Sequence, residues 1–154
     1  MKIIKSLKNV SMDASTLDKL QKADVIKVLV PFLQQELASV RTASPQTEQQ
    51  KQQSAVAWAE LQSQTVNLIF NLCRLSRSRQ EQAALVGVIP YLQQFVGSNS
   101  HLKQFALPIL CEMAHASKRT RAELLKHKGI DFYLTLLSDN YWKVNPVTLV
   151  IASD

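Results

Sequence analysis

The sequence contains little glycine, and this scarcity excludes several classes of site. Its three glycines are Gly87, Gly97 and Gly129. Loops that hold phosphates or dinucleotides need two or three glycines within a few residues, and tight β-hairpins also depend on glycine at their turns. We therefore expect no nucleotide-binding loop, and we expect an all-helical protein rather than one with many strands.

Cysteine is equally scarce, and long apolar runs are absent. Cys73 and Cys111 each lie within a short apolar stretch and form no CxxC pair. Buried, free thiols are typical of such positions, so the sequence predicts neither a disulfide framework nor a zinc site. Lysines interrupt the apolar residues near the N-terminus, and no uncharged apolar stretch is long enough to cross a bilayer. These features predict a cytoplasmic or nuclear protein, and of the two we expect the cytoplasm.

Positive charge is concentrated in one part of the chain. The formal net charge is +6 at pH 7. Residues 74–128 contain nine lysines and arginines but three glutamates, so they carry the whole excess. A concentrated basic region indicates an acidic partner, although a solvated helix surface has the same composition.

An internal repeat is the most informative feature of the sequence. A shift of 42 along the chain places Gly87 on Gly129 and Tyr91 on Tyr133 without a gap. The same shift places the pair Arg77 and Arg79 on Arg119 and Arg121. Residues 24–33 match residues 87–96 at a longer offset of 63. The polar, glutamine-rich segment 39–54 accounts for the difference, and we expect it to be a flexible insertion.

A period of about 40 residues with only helical segments predicts an armadillo or HEAT-like right-handed helical solenoid. Each unit has three helical pieces, with a glycine turn after the first, which favours the armadillo type. We expect a single domain, 1–154, of about three repeats that begins and ends within a repeat, because the third repeat breaks off at 141–151. Pro108 should bend the third helix of its repeat, predicted at 102–116.

The repeated arginines predict a partner-binding surface. Equivalent positions in stacked repeats lie about 10 Å apart, so these side chains should form a row along one edge. We call this set the basic stripe; it consists of Arg74, Arg77, Arg79, Lys103, Lys118, Arg119 and Arg121. Arginine binds carboxylates and phosphates through two parallel hydrogen bonds. The alternative is that these arginines cap helix ends and stabilise repeat stacking.

Groove and catalytic candidates are fewer. Asn9 and Asn71 lie where armadillo proteins often present asparagine to a bound peptide, although the third equivalent is Met113. Asn71 could instead bridge helix ends. His115 is the third groove candidate; it follows Cys111 by one helical turn, but two ligands do not make a metal site. We expect no metal, no cofactor and no catalysis.

Two stretches of this sequence resemble one known family. They are NLCRLSRSRQEQAA at 71–84 and LKQFALPILCEMAHAS at 102–117, followed by Tyr141 and Trp142. Both resemble the non-kinase armadillo region of fungal septation-initiation kinases and of plant epsilon-class MAP kinase kinase kinases, and the fungal members more closely. After Asn145 the sequence departs from that pattern, and Pro146 would break the next helix early.

The resemblance implies a regulatory module of septation and cytokinesis that has no kinase domain of its own. It implies recruitment to the spindle pole body by a GTP-bound Ras-like GTPase or an acidic adaptor. Two other hypotheses remain open: a nucleic-acid binder that uses the basic stripe, and a module that self-associates through exposed repeat ends. Few aromatic residues are available for base stacking, which disfavours nucleic acid.

Overall fold

The computed structural model describes residues 2–34, 48–98 and 100–138, and all regular structure within them is helical. This confirms the predicted all-α class for the described part of the chain. Nine helices are described there: α1 Lys2–Val10, α2 Ala14–Lys22, α3 Val25–Leu29, α4 Glu48–Cys73, α5 Arg77–Leu85, α6 Ile89–Gly97, α7 Lys103–Ala116, α8 Lys118–Lys126 and α9 Gly129–Ser138. A 3₁₀ turn, Val30–Leu33, continues α3.

One helix boundary and one proline bear on the sequence predictions. Helix α4 begins at Glu48, seven residues before the predicted start at residue 55, so residues 48–54 of the predicted insertion are helical. Residues 39–47 lie outside the described residues, as does the predicted break at 141–151. Pro108 lies inside α7, which continues on both sides of it.

The helices pack in two rows. The longer helices α4 and α7 pack against each other, and α1 also packs on α4. The shorter helices α5 and α8 form a second row, in which α5 also contacts α3. The core between the rows is aliphatic, with Leu68, Leu72 and Leu110 fully buried. Its burial of apolar surface provides the main stabilisation of the fold.

The turns between helices recur at a spacing of 41 rather than 42. Ser76 and Ser117 each accept a hydrogen bond from a backbone N–H of the helix that follows, α5 and α8 respectively. The left-handed residues after these helices are Gly87, with φ of 85°, and Lys128, with φ of 54°. The prediction that Gly129 matches Gly87 is therefore wrong by one residue, because Gly129 is the first residue of α9. Asp24, with φ of 50°, matches Gly87 at the expected offset of 63.

Leu75 offers a test of this turn geometry. Its φ is 57° and the residue is 87% exposed. Left-handed backbone costs roughly 1–2 kcal/mol for a residue with a Cβ, and little packing is lost here. We expect Leu75→Gly to raise the free energy of unfolding by about 0.5–1 kcal/mol in urea titrations followed by circular dichroism. Leu85→Gly, within α5, should lower it by about 1 kcal/mol. Destabilisation by Leu75→Gly would contradict the left-handed assignment.

Candidate partner-binding surface

The N-termini of α5 and α8 carry most of the basic stripe. Serine at each N-cap explains why these helices begin where they do, since its hydroxyl satisfies a backbone N–H that has no partner within the helix. Five basic residues then fall in the first turns, and no acidic residue accompanies them. Because the helix dipole is positive at this end, side chains and backbone add to the same positive potential. This arrangement costs stability and favours the binding of an anionic group.

The repeated arginine pairs do not occupy equivalent positions. The two N-cap serines recur at a spacing of 41, whereas the arginine pairs recur at 42. One residue along an α-helix is a rotation of about 100°. The buried Thr120 therefore takes the place in α8 that Arg79 has in α5, and Arg121 is exposed. The prediction of one continuous row of arginines assumed that the two pairs occupy equivalent positions, and this assumption is wrong by one residue.

Arg79 is held inside the protein. Its Nε donates to the carbonyl oxygen of Leu72 at 2.6 Å, near the C-terminal end of α4. Its Nη1 lies 3.0 Å from Oδ1 of Asp18 in α2, and the side chain is 11% exposed. Arg79 thus joins α2, α4 and α5, which is the stacking role that the sequence left as an alternative.

The other members of the basic stripe are more accessible. Lys103 is half-buried, and the remaining five are exposed: Arg74, Arg77, Lys118, Arg119 and Arg121. Nη1 of Arg119 lies 3.5 Å from Oε1 of Glu81 and so connects α8 to α5. Because Arg119 is largely exposed, this ion pair contributes little to stability. These five side chains are the part of the stripe that can contact a partner.

The three groove candidates do not form a common site. Asn9 and His115 are exposed. Asn71 donates from Nδ2 to Oγ of the buried Ser11 at 3.0 Å, and this hydroxyl donates to the carbonyl oxygen of Lys8 at 2.6 Å. Asn71 therefore links α4 to the end of α1. Among the described residues, no group of three or more histidine, cysteine or carboxylate side chains could hold a metal.

A polar cluster that sequence reasoning missed lies between α4, α5 and α7. Gln80 is buried, and its Nε2 donates to the carbonyl oxygen of Cys73 at 2.9 Å and to Oε2 of Glu112 at 2.6 Å. Burial, together with the nearby Glu112 carboxylate, raises the pKa of the Cys73 thiol to about 12. The sequence contained one sign of this cluster, which was a glutamine on the same face of α5 as the small residues Ala83 and Ala84.

The two cysteines differ in exposure. Cys73 is buried, as predicted, but Cys111 is exposed, so that part of the prediction is wrong. Cys111 lies on the outer face of α7, whereas its neighbours Ile109 and Leu110 point into the core. Desolvation by the surrounding protein and then the Glu112 charge still raise the pKa of its thiol.

This difference in exposure predicts that one thiol reacts quickly with a thiol reagent and the other slowly. We expect a disulfide reagent such as dithionitrobenzoate to modify Cys111 in the folded protein and to reach Cys73 on unfolding. Because the thiolate is the reactive form and the pKa of Cys111 is raised, its reaction should be slower at pH 7 than that of a free cysteine and should accelerate as the pH rises. Cys111→Ser should abolish the fast phase. Two equally fast thiols in native buffer would contradict this assignment.

The chain is similar to fungal cytokinesis proteins and to plant MAP3K epsilon kinases. It is 41% identical over 148 residues to cytokinesis protein sepH of Aspergillus niger, covering 96% of this chain and 10% of the relative. It is 40% identical over 157 residues to MAP3K epsilon protein kinase 1 of Brassica napus, covering 100% of this chain and 11% of the relative.

A fission-yeast relative matches less of the chain. Cell division control protein 7 of Schizosaccharomyces pombe is 39% identical over 84 residues, which is 54% of this chain and 8% of the relative. The chain thus spans about a tenth of the length of these relatives. No protein-family model matches it, and no solved structure does. No helix in the described residues is both long and apolar enough to span a membrane.

Proposed function

We propose that the chain is a segment of an armadillo-type helical solenoid. Support comes from recurrence within the chain: a serine cap, a nine-residue helix and a left-handed residue occur in the same order at α5 and at α8. The rows formed by α1, α4 and α7 and by α5 and α8 are the packing that stacked helical repeats would have.

The segment is proposed to be non-catalytic and to serve a septation or cytokinesis kinase as a protein-binding region. The similarity to sepH and to the MAP3K epsilon kinases supports this assignment. The observation that carries the binding role is the exposed part of the basic stripe at the positive ends of α5 and α8. Basic side chains there have no acidic neighbour in the same turn, and they suit an acidic protein surface.

The proposed partner is a GTP-bound Ras-like GTPase or an acidic adaptor of the spindle pole body, bound in the cytoplasm. The test is calorimetric titration of the chain with the GTPase in its GTP-loaded and GDP-loaded forms. We expect the charge reversals Arg77→Glu and Arg119→Glu together to weaken binding to the GTP-loaded form by about ten-fold or more.

A matched control separates the effect of losing a local binding surface from the effect of changing the overall charge. Lys22→Glu with Lys27→Glu changes the net charge by the same amount at two exposed positions on α2 and α3. We expect this control to change the affinity by less than about two-fold at physiological salt. Equal losses in both variants would remove the basic stripe from the binding surface. Tight, steeply salt-dependent binding to DNA or RNA instead would favour the nucleic-acid hypothesis.

A further inference from the structure

The three glutamates of the basic region make different contacts. Glu112 accepts a hydrogen bond in the polar cluster between α4, α5 and α7. Glu123 pairs within its own helix, with a lysine in the last turn of α8. Glu81 differs from both, since its Oε1 lies 3.5 Å from Nη1 of Arg119, a member of the basic stripe. Glu81 therefore places a negative charge within the surface that is proposed to bind an acidic partner.

Glu81 is close to two exposed arginines of the basic stripe. It follows Arg77 by four residues on α5, so the two side chains lie on one face of that helix. Arg119 is in the first turn of α8, which packs beside α5. The side chain of Arg119 is 76% exposed and that of Glu81 is 27% exposed. The Arg119 guanidinium is therefore accessible to a partner while it contacts Glu81.

The contact between Arg119 and Glu81 is one that a partner can replace. It joins one nitrogen and one oxygen at 3.5 Å, and exposed ion pairs of this kind contribute little to stability. A partner carboxylate can instead accept two parallel N–H bonds from the same guanidinium, which are shorter and stronger. The Glu81 charge nevertheless stays near Arg77 after it has been displaced. Both the displacement and the remaining charge lower the affinity for an acidic partner.

We propose that Glu81 limits the affinity of the basic stripe for an acidic partner, because it occupies Arg119 in the free protein and competes with the partner's carboxylates. This inference rests on the proposed function, since it takes the exposed part of the basic stripe as the binding surface. It adds a residue that is not basic to the set that determines binding, and it assigns that residue an effect opposite to that of the arginines.

Binding of a fluorescein-labelled octaglutamate peptide to the full chain, followed by fluorescence anisotropy at low salt, tests this proposal. We expect Glu81→Gln to raise the affinity about three-fold, which is the size of effect that an exposed ion pair allows. The matched control is Glu60→Gln, which removes another ion-paired glutamate, 3.2 Å from Nζ of Lys5, and changes the net charge equally. The control lies on α4, and we expect it to change the affinity by less than about 1.5-fold.

A double-mutant cycle shows whether Glu81 acts through Arg119. We expect Arg119→Ala to weaken binding of the peptide, and Glu81→Gln to lose most of its effect when it is added to Arg119→Ala. If Glu81→Gln raised the affinity equally with and without Arg119, net charge would be the cause and the proposed competition would be wrong. Equal effects of Glu81→Gln and Glu60→Gln would overturn the proposal in the same way.

The charge reversals Arg77→Glu and Arg119→Glu together separate this proposal from the proposed function. If they leave binding of octaglutamate unchanged, or if the parent chain does not bind the peptide at all, the basic stripe is not an acidic-partner surface and both proposals fail. If they weaken binding but Glu81→Gln does not strengthen it, the competition by Glu81 alone is overturned. Every variant should keep the helical circular-dichroism spectrum of the parent chain, since each replaced side chain is partly or largely exposed.

Discussion

Replacing Gly129 with alanine is expected to lower the free energy of unfolding by about 2–3 kcal/mol. A Cβ at this position would lie 2.7 Å from the carbonyl oxygen of Leu124 and 3.1 Å from its carbonyl carbon. Both are backbone atoms of α8, so no side chain can rotate to relieve the overlap. Either α8 or the start of α9 has to move, and the packing of Leu124 and Leu136 moves with it. Urea titration followed by circular dichroism measures the change.

The other two glycines provide matched controls because each isolates one of the possible causes. Gly87 has a φ of 85° but no atom within 4 Å of a built Cβ, so Gly87→Ala should cost about 1–2 kcal/mol through backbone strain alone. Gly97 has neither a positive φ nor a close neighbour, and Gly97→Ala should change stability by less than about 1 kcal/mol, in the stabilising direction. If Gly129→Ala behaved like Gly97→Ala, the close approach of α8 and α9 would be disproved.

These glycines also show what the sequence could and could not predict. The repeat was visible because glycine is rare and two glycines recur at nearly the structural spacing. Their roles could not be read from that spacing, since Gly87 is required for a left-handed turn and Gly129 for close contact between helices. The actual left-handed counterpart is Lys128, and a lysine carries no sequence signal for that conformation. Local strain there is outweighed by the packing of the helices on either side.

The candidate site was predictable in composition but not in register. Counting charges located the basic residues, and they do concentrate at the first turns of α5 and α8. Which of them is buried depends on a rotation of about 100° per residue, so an error of one position matched Arg79 with Arg121. The N-cap residues Ser76 and Ser117 were the better guide, because a cap marks where a helix begins.

The difference in burial between Arg79 and Arg121 gives the second large expected effect on stability. We expect Arg79→Ala to lower the free energy of unfolding by about 2–3 kcal/mol, because it leaves the Leu72 carbonyl oxygen without its charged donor. The ion pair with Asp18 adds little, since the Asp18 carboxylate is largely exposed. Asp18→Ala should therefore change stability by less than about 1 kcal/mol. Guanidinium titrations of each variant give these values directly.

Arg121→Ala is the matched control, since this arginine is exposed and is the one that the sequence repeat matched with Arg79. We expect it to change the free energy of unfolding by less than about 0.5 kcal/mol. If Arg121→Ala were as costly as Arg79→Ala, the two would be structural equivalents and the register set by the N-cap serines would be wrong. If neither replacement lowered the free energy of unfolding, the hydrogen bond from Arg79 to Leu72 would contribute nothing to stacking. Arg79 would then count among the side chains that are available to a partner. The expected pattern instead separates an arginine that holds helices together from the arginines that remain for binding.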